Sequence, residues 1–179
     1  MSSAPGRPDP PVDSPVDSPP RVVSDSIEVE APPSLVFDIL ADPRQHPRID
    51  GSGSLRGSIS GPERLAEGDR FGMDMSLFGV PYKIRNTVVE LEEDRRIAWR
   101  HFGGHRWRYV LEPTARGTRV TESFDYSRYG LVPRLFIELA RFPERNRRGI
   151  AGTLVELKRA AERDAGDDHT EDPSRGQQP

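Results

Sequence analysis

An apolar stripe near the C-terminus steps by 4, 3, 4, 4, 4, 3 and 4 residues through Leu135, Leu139, Phe142, Asn146, Ile150, Leu154, Leu157 and Ala161. Only an α-helix brings positions with that spacing onto one face. The stripe is about 26 residues long, and Pro143 is expected to kink or restart the helix near its first third. Upstream the period is different. From Leu55 to Tyr126 apolar residues recur at every second position, which is the pattern of half-buried strands. A run of antiparallel strands followed by one long amphipathic helix is an α+β order, with the helix lying across a strongly curved sheet.

The segments before the helix can be placed in turn. Ser26–Glu30 alternates and predicts a strand. Pro32-Pro33 opens a short helix carrying Leu35, Val36, Ile39 and Leu40, which should stop near Asp42-Pro43. Gln45–Asp50 is a second helical turn or a loop. Strands follow at Leu55–Ile59, at Phe71, Met73, Met75 and Leu77, and, after a turn at Gly79-Val80-Pro81, at Tyr82, Ile84, Asn86 and Val88. The apolar phase then slips at Val89 and Leu91, which predicts a bulge or strong twist. Ile97, Trp99 and His101 lead to a tight turn at Gly103-Gly104. His105, Trp107, Tyr109 and Leu111 return, and Arg116-Gly117 leads into Val120–Tyr126.

Both ends of the chain read differently. Residues 1–20 hold seven of the 18 prolines and a tandem Pro-Val-Asp-Ser unit, so they predict a disordered Pro-rich tail. Residues 164–179, with five acids against one arginine, predict a disordered acidic tail, leaving one domain over 21–163. Removing net −2 from residues 1–25 and −4 from 164–179 from the total of −3 leaves +3 in the middle, too mild for a nucleic-acid surface. There is no cysteine, hence no disulfide, thiol nucleophile or thiolate metal site. No basic-then-apolar leader and no run of about 18 apolar residues is present, so a cytoplasmic protein without an integral membrane segment is expected.

Polar residues standing on the apolar phase are the strongest functional signal. Glu122 shares a face with Val120, Phe124 and Tyr126; Asn86 lies between Ile84 and Val88; His101 follows Ile97 and Trp99. A carboxylate among apolar neighbours is costly unless it has a partner or meets water. A solid core is rarely built this way, whereas the wall of a cavity is.

The segments Ser26–Glu30, Ala31-Pro32-Pro33-Ser34-Leu35-Val36-Phe37-Asp38, Ala41-Asp42-Pro43, Trp99-Arg100-His101 and Gly117-Thr118-Arg119-Val120-Thr121-Glu122 together resemble the START/pollen-allergen helix-grip superfamily (SRPBCC). Within it the likeness is to the bacterial polyketide cyclase/dehydrase-like branch, over about residues 22–163. The resemblance implies a helix-grip fold, a curved antiparallel sheet gripping a C-terminal helix around an interior ligand cavity. It also implies binding of a hydrophobic or polycyclic small molecule, lipid, isoprenoid or polyketide-like. It carries no catalytic motif onto particular residues, since members include cyclases, carriers and toxin-like relatives.

Each candidate has a structural counterpart. Glu122 is a cavity-facing acid/base, or it pairs with an inward arginine, or it meets water at the sheet edge. His101 shuttles protons or contacts ligand, or it donates to a backbone carbonyl beside the glycine turn. Asn146 caps the turn at Pro143 or orients a ligand alongside Asn86. Met73, Met75, Tyr82, Trp99, Trp107 and Phe124 are each ordinary core residues alone; together with Asn86 and Glu122 they form a wall for a flat ligand. Three other signals fail. Gly51–Gly57 precedes a strand rather than a helix, so it is a loop at the cavity mouth and not a nucleotide loop. His46 and Asp50 have no third partner, so no metal and no cofactor are expected. Arg106 and Arg108 point away from Trp107 and Tyr109, against a single-strand nucleic-acid surface. The arginines and lysine at 141, 145, 147, 148, 158, 159 and 163 read as the solvated face of the helix.

The residues therefore favour a binder of a hydrophobic small molecule. The alternatives are a cyclase/dehydrase-type enzyme with Glu122 or His101 as acid/base, and a toxin-like or regulatory interaction protein.

Overall fold

The computed structural model describes residues 21–77, 79–101, 105–128 and 142–170. Elements run in the order β1 (Val22–Val29), α1 (Pro33–Ala41), a 3-10 turn (Pro43–Gln45), α2 (His46–Ile49), β2 (Leu55–Ser60), β3 (Arg70–Leu77), β4 (Val80–Glu92), β5 (Arg96–Arg100), β6 (Arg106–Thr114), β7 (Gly117–Asp125) and α3 (Phe142–Thr170). The strands form one curved antiparallel sheet ordered β1-β7-β6-β5-β4-β3-β2. Strands β2 to β7 are a meander, and β1 closes the far edge by pairing along its whole length with β7, from Val22↔Asp125 to Val29↔Thr118. The α1–α2 connection therefore runs from one sheet edge to the other. This is the α+β helix-grip arrangement that the two periodicities predict.

Local chemistry sets the boundaries. Pro33 begins α1, where its missing N–H costs nothing and its fixed φ suits the first turn. Asp42 ends that helix, its N–H bonding Asp38 O at 3.1 Å, and its carboxylate accepts from Arg44 N at 3.0 Å to start the 3-10 turn. The predicted phase slip is a bulge: Val88 pairs with Trp99 and Glu90 with Ala98, leaving Val89 extra. It restores Leu91 to the register of Ile97. The expected glycine turn at 103–104 lies outside the described residues, as do Leu135, Leu139 and residues 1–20.

Helix α3 buries Ile150, Leu154, Leu157, Ala160 and Ala161, all at 2 % exposure or less, against β1, β7, α1 and α2. The expected domain boundary at residue 163 falls inside it. The helix continues to Thr170, and Asp164 makes a two-pronged ion pair with Arg48 at 2.8 and 3.1 Å. Polar composition at 164–170 suggested a tail; helical continuity, Ala165 packing on the core and this pair hold it as helix. No helix among the described residues is long and apolar enough to cross a membrane.

The outer edge of β1 is partly covered by polar groups of α3. Lys158 Nζ donates to Glu28 O at 2.7 Å, Glu162 accepts from Glu30 N at 2.8 Å, and the two side chains pair at 2.6 Å. Unpaired edge groups invite another chain, so this clamp serves both stability and solubility. Lys158→Ala is expected to cost about 1 kcal/mol, the usual worth of one hydrogen bond, seen as a lower urea midpoint with unchanged m-value. An unchanged midpoint would show the clamp to be idle.

Candidate functional site

Cross-strand register arranges the concave face of the sheet in rows. The central row is Val88, Trp99, Trp107, Phe124 and Val23 on β4, β5, β6, β7 and β1. Two residues along, Leu91, Ile97, Tyr109 and Glu122 make the next. Two residues the other way, Asn86 stands beside Phe71 on β3, and His101 meets His105 across the end of the β5–β6 pair. Beyond these, Met73 pairs with Ile84, and Met75 with Tyr82.

The predicted residues thus fall into two groups. Asn86, Trp99, Glu122 and Phe124 are buried, while His101, Trp107 and Met73 are half-buried beside them. Met75 and Tyr82 lie towards the tip of the β3–β4 hairpin, where Tyr82 is 38 % exposed. Its hydroxyl pKa is raised by burial, offset by the charge of Arg145 in α3, so this arginine stands near the hairpin. Asn146 is half-buried in the second turn of α3.

Aromatic rings tie the wall together. Trp107 and Phe124 lie 4.8 Å apart, Trp99 and Tyr109 5.5 Å, and His105 and Phe124 5.0 Å. Such pairs are worth about 0.5–1.5 kcal/mol each beyond the area they bury. His46, read from spacing only as a possible metal partner of Asp50, is a core residue. Its ring stacks 5.2 Å from Trp99, and Nε2 donates to Leu40 O at 3.0 Å, a carbonyl that can only accept. Asp50 instead accepts from Ser52 N, Ser52 Oγ and Leu55 N, shaping the 51–54 loop. That loop packs on α3 rather than forming a glycine-rich phosphate cradle. Among the described residues no three His, Asp or Glu side chains are gathered to hold a metal.

Electrostatics set the protonation states. Burial pushes the Glu122 carboxyl up to about 8, against the opposing hydrogen bond donated by Tyr109. At neutral pH Glu122 is therefore a neutral carboxylic acid, able to donate as well as accept. Burial, and next the Glu122 charge, lift the Tyr109 hydroxyl well above its usual value. Burial lowers His105 to about 4; burial, with His105 alongside, lowers His101 to about 3. Their Nε2 atoms lie 3.1 Å apart, so one ring donates and the other accepts, which suits two neutral imidazoles.

The buried polar side chains among the described residues are His46, Asn86, Thr118 and Glu122. Thr118 donates to Ala31 O at 2.7 Å and His46 is satisfied by Leu40. Asn86 Nδ2, Asn86 Oδ1 and Glu122 Oε2 are buried without a partner. Two depressions, of about 390 Å³ and about 300 Å³, lie elsewhere. The first is lined by Asp38, Asp42, Glu63 and Arg64, the second by Glu67, Glu90 and Arg108, and neither by Asn86 or Glu122.

Reading the sequence did not single out Tyr109 or His105 as site residues. The signal was present. The two-residue turn Ala115-Arg116 makes paired positions on β6 and β7 sum to 231, as in Thr114↔Gly117, which sets Tyr109 opposite Glu122.

Comparison with known proteins agrees with this architecture. Residues 20–162 match the family described as polyketide cyclase / dehydrase and lipid transport. The uncharacterized protein Rv0088 of Mycobacterium tuberculosis is 44 % identical over 147 residues, 79 % of this chain. The chain spans 65 % of that relative's length. Crystal structures of DR_A0006 from Deinococcus radiodurans and MLL2253 from Mesorhizobium loti superpose with TM-scores of 0.56 and 0.60, at 20 % and 16 % identity. Each match covers 80 % of this chain and 98 % of the other, and shows the shared fold.

Proposed function

Since the chain belongs to the polyketide cyclase / dehydrase and lipid transport family, we propose that it binds a hydrophobic small molecule between the concave face of the sheet and α3. The observation that carries this reading is the set of three unpartnered polar atoms, Asn86 Nδ2, Asn86 Oδ1 and Glu122 Oε2, on an aromatic wall. Leaving a buried donor or acceptor unmade costs about 1–3 kcal/mol. Folds retain such groups where a ligand completes them, and Trp99, Trp107 and Phe124 supply the apolar contact that gives most affinity.

Native mass spectrometry of the purified protein, followed by denaturation and identification of what is released, tests the reading. A stoichiometric apolar molecule is expected, at reduced occupancy in Glu122→Leu. An empty protein whose Tm is also unmoved by anthracene overturns it.

A second reading, acid–base turnover of a carbonyl substrate, is favoured by the Glu122 carboxyl at about 8 beside the Tyr109 hydroxyl. A carboxyl in that range exchanges protons readily at neutral pH. Glu122 would be the acid/base and Tyr109 would hold its carboxyl in place. Glu122→Gln is expected to lower turnover by about 100-fold or more, and unchanged turnover removes this assignment.

A further inference from the structure

The convex face of the sheet carries a row of cations that the concave site does not use. Cross-strand register sets Val22, Asp125, Arg106, Arg100, Thr87 and Arg70 side by side, from β1 across to β3. Three of the six are arginines. Arg85, two residues before Thr87 and on the same face of β4, flanks the row.

Cations elsewhere on this face are matched: Lys83 with Asp74 at 3.4 Å, Arg96 with Glu92 at 2.9 Å, Arg119 with Glu28 at 3.0 Å. The row is not. Arg106 and its neighbour Arg108 share one oxygen of Glu90, at 2.9 and 2.5 Å, and Arg106 Nε is buried without a partner. Arg70, Arg85 and Arg100 are exposed and make no ion pair among the described residues. Asp125, the one acid in the row, accepts from Ser127 N at 2.8 Å. Like charges directly opposite each other on a sheet are destabilising, and Arg100 faces Arg106 in this way. An anion laid across the row relieves a cost already built into it.

The chain itself supplies an anion of the right length. Arg21 leads into β1 at the start of the row, its carbonyl accepting from Tyr126 N at 3.0 Å. Residues 1–20 carry Asp9, Asp13 and Asp17 against Arg7, and the tandem Pro-Val-Asp-Ser unit sets Asp13 and Asp17 in equivalent places. A proline-rich chain advances about 3.1 Å per residue, so Asp17 and Asp13 lie about 12 and 25 Å along it from Arg21. Strands stand about 4.8 Å apart, which puts Arg106, Arg100 and Arg70 about 10, 14 and 24 Å from β1. Asp9 overruns the row. Val22, 44 % exposed at its start, is an apolar contact that such a crossing covers.

We propose that residues 11–18 cross the convex face as a strap, Asp17 pairing with Arg106 and Arg100, and Asp13 with Arg70 and Arg85. The strap is independent of what the concave face binds. It ties the β1 edge to the β3–β4 hairpin and neutralises a face otherwise open to anionic surfaces.

The chain has no cysteine, so Ser14→Cys gives the full-length protein a single attachment point for a neutral nitroxide. In isotope-labelled protein at about 0.02 M salt, the nitroxide should broaden the amide signals of Arg70 and Thr87 and spare those of Leu154 and Leu157 on α3. Raising the salt to about 0.5 M shortens the screening length from roughly 20 Å to roughly 4 Å and should release the strap. Adding Asp13→Asn and Asp17→Asn should lower the strapped population roughly 5-fold, the worth of two exposed ion pairs. Arg70 and Thr87 signals left sharp at low salt overturn the strap. Broadening that comes from nitroxide on a second, isotopically unlabelled copy overturns it as well, and makes this face an interface between copies. Sharp signals together with binding to phosphatidylglycerol vesicles at about 0.15 M salt overturn it in favour of a lipid surface.

Discussion

The stability of this protein is expected to peak near pH 6.5 and to fall on both sides, with the alkaline loss carried by one residue. Glu122 titrates at about 8 when folded, against 4.5 in an open chain. Between those values the folded state holds a proton that the unfolded state has released, so unfolding becomes easier as pH rises. At about 1.4 kcal/mol per pH unit per proton, the interval from 6.5 to 8 costs on the order of 2 kcal/mol. His101 and His105 act in the opposite sense. Their folded values of about 3 and about 4 lie below the open-chain 6.5, so protons are taken up on unfolding as pH falls through 6.5. Their stabilisation is present above 6.5 and lost below it, two protons against the one of Glu122. Buried His46, whose pKa burial also lowers, adds to the acid loss. Urea unfolding at constant ionic strength from pH 5 to 9 checks the profile. Glu122→Gln should abolish the fall above pH 6.5 while leaving the acid limb in place. A wild-type stability that holds level or rises from pH 6.5 to 8.5 would contradict the buried, protonated carboxyl on which the site reading leans.

Gly51→Ala is expected to be the most damaging single methyl addition among the described loop glycines. A Cβ there would lie 2.0 Å from both Gly152 C and Thr153 N, and 2.5 Å from Gly152 Cα. These are helix backbone atoms, so relief requires moving α3 away from the loop and breaking the Gly51 N–H bond to Thr153 Oγ1. Overpacking that side chains can absorb costs about 1–3 kcal/mol; here at least the upper end applies. At about 2–4 °C per kcal/mol for a domain of this size, a drop in Tm of roughly 6–12 °C follows. Gly152→Ala should share the sign, since its Cβ would meet Gly51 O at 2.7 Å. Gly166→Ala, with nothing within 4 Å of the added carbon, should instead stabilise by up to about 1 kcal/mol through helix propensity. If all three glycines of this comparison behave alike in thermal melts, the close approach of loop and helix is wrong.

Period, more than composition, made the architecture legible. Every strand from β2 to β7 announces itself by alternation, and even the bulge at Val89 shows as a slip of phase. Glu122 and Asn86 were legible for the same reason: the period assigns them inward although their chemistry resists it. Register takes a further signal, the length of each turn. The Tyr109–Glu122 and His101–His105 contacts depend on which residues face each other across two hairpins, and alternation alone leaves that free. His46 sits in a single four-residue turn, too short to show any period, so its burial against Trp99 left no trace. The C-terminal seven residues of α3 misled because charge pattern describes how a segment meets water, and Asp164 meets Arg48 instead.

The pairing of β1 with β7 carries a kinetic consequence. Val22 and Asp125 are 103 residues apart (125 − 22), and their strands join only after the whole meander exists. Contacts of such long range slow folding, because the chain must surrender loop entropy before they form. During synthesis the first strand leaves the ribosome with no partner and waits for nearly all the rest of the domain. Strands β2 to β6 can zip hairpin by hairpin in the meantime. Glu122, on β7 opposite Asp25 of β1, is then among the last polar groups to be enclosed, because the strand that flanks it is the last to dock. Refolding experiments should find ligand recognition arriving with the slowest phase, after most of the sheet signal has already returned.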